Sequence, residues 1–209
     1  MQRLVRGLHS FQRGYFATHQ QLFRQLATAG QKPETLFITC CDSRVVPTLI
    51  TDAPPGELFI VRNIGNMVPG PDLPGSTAAA IEYAVQVLGV ENIIICGHTQ
   101  CGAMEAVLRP DRVAGLDYVR RWVAQADGVR TTIFDSYRDL EPWAQLTAAV
   151  QENVLVQLEH LRDFPCVKDR LERGRVLVSG WVFDIESGEV YDFDPVRGEF
   201  VRLAPGDDL

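Results

Sequence analysis

Leu36-Phe37-Ile38-Thr39-Cys40-Cys41-Asp42-Ser43-Arg44 is a short apolar run that ends in two thiols, a carboxylate and a guanidinium. Far downstream a second run, Ile93-Ile94-Ile95-Cys96, ends in Gly97-His98-Thr99-Gln100-Cys101-Gly102. Length and β-branching predict two buried strands, and both finish in soft metal ligands. Paired in parallel, the strands would set Cys40 beside His98 and Cys101. That donor set is two thiolates and one imidazole, with the fourth position unassigned.

The surrounding chain supports a βαβ reading. Leu4, Leu8, Phe11, Tyr15, Leu22, Phe23 and Leu26 recur at helical spacing, which predicts one or two amphipathic helices ended by Gly30 and Pro33. A strand over 57–62 follows the Ala53-Pro54-Pro55-Gly56 turn, and the Gly- and Pro-rich stretch 63–75 reads as a loop. Ser76 and Thr77 are N-cap candidates for a helix to Leu88, with Gly89 as its stop. A short helix to Leu108, a mostly helical stretch over 115–161, a helix from Pro165 to Gly174 and strands at 175–185, 190–193 and 199–203 complete the pattern. Strands alternating with helices predict an α/β fold: a mainly parallel central sheet flanked by helices, in one domain over 1–209.

The chain has 209 residues, 46% hydrophobic and 22% charged, with a net charge of −7. That length can bury a sizeable core, and the acidic balance argues against nucleic acid as a partner. No run approaches a membrane span. The first residues lack the apolar core of a signal peptide, and five cysteines show no regular framework, so a reducing, cytoplasmic setting is expected.

Other polar residues have blander readings. Cys41 is a candidate fourth ligand for a purely structural metal site, but neighbouring side chains on a strand leave on opposite faces. Cys96 reads as core and Cys166 as a packed residue at a helix start. His9, His19 and His160 have no ligand-spaced partner and read as surface or satisfied core histidines. The glycines from Gly65 to Gly75 lack the Gly-Lys-Ser/Thr of a phosphate loop.

Three protein ligands suit a catalytic zinc, because the remaining position takes water and zinc lowers that water's pKa toward neutrality. Two thiolates cancel the ion's formal charge, so activity should rise on the alkaline side of neutrality. Asp42 lies close enough in sequence to reach the ion's surroundings and orient a nucleophile, and Arg44 can hold Asp42 through a bidentate pair. Direct coordination by Asp42 is the competing arrangement.

Cys40-x-Asp42-Ser43-Arg44 followed by His98-x-x-Cys101 resembles the signature of the β-class carbonic anhydrases. So do Gly30-Gln31-x-Pro33, Glu57-x-Phe59-x-Val61-Arg62-Asn63, Ala80-Ile81-Glu82-Tyr83-Ala84 and Gly180-Trp181-Val182-Phe183-Asp184. The similarity is to bacterial and cyanobacterial enzymes, carboxysomal ones included. It implies one Zn2+ per subunit and reversible hydration of CO2 to bicarbonate and a proton by attack of zinc-bound hydroxide. It implies a substrate pocket of Gln31, Phe59, Ile64, Tyr83 and Gly102, with Gln31, Phe59 and Tyr83 supplied by a neighbouring subunit. The N-terminal helices should then pack on a partner in a homodimer or larger homo-oligomer. A carboxysome shell or scaffold protein is a further candidate partner, and the carboxysome a candidate location. The alternatives are a CS2/COS hydrolase of the same fold and a non-enzymatic, zinc-stabilised binding module. One subgroup also binds bicarbonate away from the metal through Trp, Arg and Tyr; here Phe37, Arg62 and Phe183 stand at those positions. The two Phe rings lack the donors, so the resemblance implies an open site without bicarbonate-driven closure.

Overall fold

The computed structural model describes residues 1–204 and 206. They fall into two compact units, Met1–Lys32 and Pro33–Leu209. The first holds α1 (Gln2–Arg13), α2 (Tyr15–Thr18) and α3 (Gln20–Ala29). The apolar periodicity predicted one or two helices; breaks at Gly14 and His19 make three. At the second break, side chains take up main-chain acceptors: His19 Nδ1 donates to the Tyr15 carbonyl at 2.8 Å, and Thr18 Oγ1 to the same carbonyl at 3.0 Å. Phe11 and Phe16 pack on Phe23, with ring centroids 6.0 and 5.0 Å away. No residue of these three helices is buried.

The second unit runs β1 (Thr35–Cys40), α4 (Pro47–Ile50), β2 (Leu58–Asn63), a 3-10 turn (Ile64–Asn66) and α5 (Ser76–Glu82), which continues as a π-helix (Tyr83–Leu88). It goes on through β3 (Asn92–His98), α6 (Gly102–Leu108), a 3-10 turn (Pro110–Val113), α7 (Asp117–Val123), a further turn (Ala124–Ala126) and α8 (Asp127–Ser136). The last elements are α9 (Pro142–Arg162), α10 (Pro165–Glu172), β4 (Leu177–Phe183), β5 (Val190–Asp194) and β6 (Glu199–Arg202). Gly89 ends the π-helix in the left-handed conformation expected of a helix stop. Proline opens α9 and α10 at a position where its missing N–H costs nothing. The expected side-chain cap of α5 is absent. Gly75 occupies the N-cap, and Thr77 is buried with its hydroxyl accepting a hydrogen bond from Asn63 Nδ2 at 3.2 Å. The loop expected over 63–75 also contains one ordered turn, at Ile64–Asn66.

The strands form one sheet in the order β2-β1-β3-β4-β5-β6. The pairings among β2, β1, β3 and β4 are parallel, and β5 and β6 add antiparallel. The chain leaves β1 for β2 on one side and later returns as β3 on the other. This reversal opens a crevice at the carboxyl ends of β1 and β3, where ligands bind in open parallel sheets. Cys40 closes β1 and His98 closes β3.

Alternation along the strands separates two faces. Leu36, Ile38, Ile93 and Ile95 join the larger core with helix residues such as Val150, Val154, Leu158 and Leu161. Phe37, Ile94, Cys96 and Trp181 form a small cluster on the other face. The helix α9 lies close on the sheet because two strand positions carry no side chain. A Cβ on Gly97 would stand 2.8 Å from Val154 Cγ2, and one on Gly180 would stand 2.7 Å from Leu158 Cδ1. Val154 is β-branched and stiff at its first torsion, so it yields little.

Gly97→Ala is therefore expected to lower the unfolding free energy by about 1–3 kcal/mol through overpacking. The loss should shrink when Gly97→Ala is introduced into a Val154→Ala background, because the two sites share one contact. Denaturant unfolding of the four proteins of that cycle measures the coupling, and strictly additive losses would contradict the packing account.

Candidate metal centre

Three donors from separate segments converge at the crevice. Cys40 Sγ comes from the end of β1, His98 from the end of β3, and Cys101 from the N-cap of α6. Their ligand atoms all lie within 4.8 Å of one another, and all three residues are buried. The imidazole's hydrogen bonding settles which nitrogen is free. His98 Nδ1 is 2.8 Å from the Thr99 carbonyl oxygen. A carbonyl only accepts, so Nδ1 carries the proton and Nε2 presents a bare lone pair. That Nε2 is buried and has no hydrogen-bond partner. A buried polar atom without a partner is costly, and here it faces two thiols. This orphan is the feature a bound metal ion would satisfy.

One of the two ligand thiols, Cys40, is arranged for ionisation. A hydrogen bond from Cys101 pulls Cys40 well below the ordinary thiol range against burial, and the neighbouring His98 ring and the Gly65 and Asp42 amides act in the same direction. The Gly65 amide stands 3.4 Å from the sulfur. The same shared proton, together with burial, pushes Cys101 upward. Cys96, fully enclosed in β3, is pushed up to about 12 by burial and stays a neutral core thiol. Cys41 is exposed, and its main chain donates to the Asn63 carbonyl at 2.9 Å.

Asp42 and Arg44 sit on the loop after β1. Arg44 grips the carboxylate with Nε on Oδ1 at 3.0 Å and Nη2 on Oδ2 at 2.8 Å, and the Arg44 amide adds a third bond at 3.0 Å. The guanidinium also reaches the Gln100 carbonyl at 3.2 Å, so it ties the first cysteine loop to the second. Asp42 Oδ2 lies 3.9 Å from His98 Nε2. Arg62 is spent on the same loop, donating to the main-chain carbonyls of Cys40 at 3.1 Å and Asp42 at 2.7 Å.

A cavity of about 280 Å3 opens beside these groups and is lined in part by Cys40, Asp42, Ile64 and Gly102. Phe59 and Tyr83 are not part of that lining; their rings meet each other, with centroids 6.0 Å apart. Gln31 is exposed and belongs to the N-terminal unit.

Sequence reasoning missed the clamp behind the Gly65 amide. Gly65 has φ +76, the left-handed region, and a Cβ there would also stand 3.0 Å from that of Ala103. Asn153 Nδ2 on α9 donates to the Gly65 carbonyl at 3.0 Å, and Gln157 Oε1 accepts from the Val68 amide at 2.7 Å. His160 Nδ1 donates to the Val68 carbonyl at 2.8 Å, which makes it a satisfied histidine. Trp122 Nε1 on α7 donates to the Ile64 carbonyl at 2.7 Å. The available signal was Asn153 and Gln157 set among Val150, Val154, Leu158 and Leu161, two amides on the apolar stripe of a helix. A second link binds the last core strand to the site: Thr99 Oγ1 donates to Asp184 Oδ1 at 3.1 Å and accepts from the Ile185 amide at 3.1 Å.

A family model described as carbonic anhydrase matches residues 35–190, a span that holds Cys40, Asp42, Arg44, His98 and Cys101. The chain belongs to the carbonic anhydrase family. Relatives include the carbonic anhydrase of Pseudomonas aeruginosa, 45% identical over 205 residues covering 98% of this chain and 92% of that one. The carbonic anhydrase of Synechocystis sp. is 43% identical over 203 residues, covering 96% and 74%. Among solved structures, the β-carbonic anhydrase CcaA matches with a TM-score of 0.94 and 42% identity, covering 99% of this chain and 93% of that chain. A tetrameric β-carbonic anhydrase of Sordaria macrospora matches with a TM-score of 0.83 and 30% identity, covering 92% and 97%. The carbonic anhydrase fold of this chain is thus the β-class one. Among the described residues, no helix is long and apolar enough to cross a membrane.

Hydrogen bonds from Arg44 hold the Asp42 carboxyl well below the usual carboxylate range. A depressed acid stabilises the fold above its unfolded pKa, near 3.9, and loses that contribution as pH falls through the lower folded value. The Asp42 carboxyl carbon should therefore show no titration step in NMR across the ordinary carboxylate range. Arg44→Ala should return the step to that range; a normal step in the unaltered protein would contradict the pairing.

Proposed function

We propose that this carbonic anhydrase family member is a zinc enzyme that hydrates CO2 reversibly to bicarbonate and a proton. The observation that carries the reading is the convergence of Cys40, His98 and Cys101 around a bare imidazole lone pair, directly beside the Asp42–Arg44 pair. Two thiols and one imidazole are a donor set that favours zinc over harder cations. When bound there, zinc supplies a water acidic enough to act as a nucleophile near neutral pH.

Each side chain has a defined task in this reading. Cys40 and Cys101 offer thiolates, and Thr99 fixes the His98 tautomer through its carbonyl. Asp42 is ionised and accepts only, so it holds a proton-bearing nucleophile in one orientation. Arg44 occupies both carboxylate oxygens and keeps Asp42 from swinging onto the ion. Ile64 and Gly102 border the space where substrate waits.

Gln31, Phe59 and Tyr83 are assigned to a neighbouring subunit's pocket, and the family resemblance supports this. The N-terminal helices, with no residue buried in the isolated chain, suit a partner surface. We assign a homodimer at least. The Sordaria macrospora relative is a tetramer. Arg62 already serves the Cys40 and Asp42 carbonyls, and Phe37 packs edge-on against Trp181, which supports an open site without an anion at Phe37 and Phe183.

Stopped-flow CO2 hydration on the zinc-loaded protein tests the activity; no rate above the buffer reaction would overturn it. Cys40→Ser, His98→Ala and Cys101→Ser should each lose both zinc and turnover, and full zinc occupancy in all three would refute the ligand set. Arg44→Ala should keep zinc yet lower kcat/KM by ~10²–10⁴-fold, the range for an orienting acid–base group.

A further inference from the structure

The cavity beside the thiols has a wall to which none of these roles is assigned. Besides Cys40, Cys41, Asp42, Ile64 and Gly102, the lining consists of Ala103 and Ala106 on α6, Val113 on the 3-10 turn and Val119 on α7. Ala106 and Val113 are buried and Val119 is half-buried. These four side chains offer no charge and no hydrogen-bonding group. The segment that carries the two valines is tied back at both ends by polar links. Arg112 pairs with Glu105 of α6, and Trp122 donates to the Ile64 carbonyl at 2.7 Å. The cover thus has a fixed seat, with its apolar side turned to the cavity.

Such a wall discriminates by polarity and by size. A charged or strongly hydrated molecule pressed against it would give up water without gaining a partner. A neutral molecule with no donors loses nothing. We propose that Ala106, Val113 and Val119 are specificity-determining residues that admit a small, neutral, linear triatomic to the nucleophile, with Ala106 setting the depth of the pocket. The inference rests on the CO2-hydration reading and assigns to it residues outside the ligand and pocket sets named above. Ala106 is a small, buried residue that lines the cavity from the interior of α6, so each added carbon there removes substrate volume. A pocket that is short by even one methylene discriminates by about 10–200-fold.

Xenon provides a readout independent of turnover, because it occupies apolar cavities. Crystals of the unaltered protein under xenon pressure should show the atom against Ala106, Val113 and Val119, and crystals of Ala106→Leu should not. In stopped flow, Ala106→Leu should retain full zinc while kcat/KM for CO2 falls by about 10–200-fold. Val119→Phe approaches the same space from α7, and its loss of kcat/KM keeps the test valid should Ala106→Leu misfold. No xenon at this wall, or wild-type kcat/KM in either zinc-replete variant, would overturn the inference. An unaltered protein that binds xenon here but hydrates no CO2 would overturn the proposed function, and with it the substrate named for this wall.

Discussion

Parallel pairing of β1 with β3 is the constraint on which the site depends. The backbone ladder sets Thr39 opposite Cys96, so the two strands finish side by side and their ends point into one crevice. Nothing in the ligands themselves would gather them; a thiol and an imidazole far apart in sequence have no attraction strong enough to close such a loop. The sheet gathers them, and burial of Leu36, Ile38, Ile93 and Ile95 beneath the helices makes the pairing stable. The reversal of strand order around β1 then leaves the space above them free of crossing connections.

The helix α9 is the second organising element, and it acts through two kinds of contact. Val154 and Leu158 press against the glycine gaps in β3 and β4, while Asn153 and Gln157 reach forward to the turn after β2. One rigid helix therefore fixes both the sheet and the Gly65 amide that stands behind Cys40. The amides are fully employed: Gln157 Nε2 donates to Asn153 Oδ1 at 3.0 Å while its oxygen holds Val68. Buried polar groups linked this way specify one arrangement, because any slip leaves several of them unsatisfied.

Much of this was legible in the sequence. The runs ending in Cys40 and His98 announced buried strands through their branching and length, and the prolines and glycines marked most of the element ends. The Asp42–Arg44 spacing anticipated a local bidentate pair because only one residue separates them. What escaped was non-local. The Asn63–Thr77 bond displaced the expected cap of α5, and the ordered turn at Ile64–Asn66 owes its form to Asn153, Trp122 and a left-handed glycine. Such features depend on partners that no local window contains, and tertiary hydrogen bonds overrode the local capping preference. Phe59 and Tyr83 mark a further boundary: their rings meet each other and are not part of the cavity lining.

The wide dispersal of the donors and their supports also governs when the site comes into being. Cys40, Gly65, His98, Cys101 and Asn153 are drawn from most of the length of the second unit, so no early, local piece of structure contains a working subset. Long loops must close before these contacts repay their entropy, which places the completed donor set late on the folding route. Until then the thiols of a nascent chain are solvent-accessible and ungathered. An ion captured once the sheet has gathered the three donors would act as a latch on the finished fold.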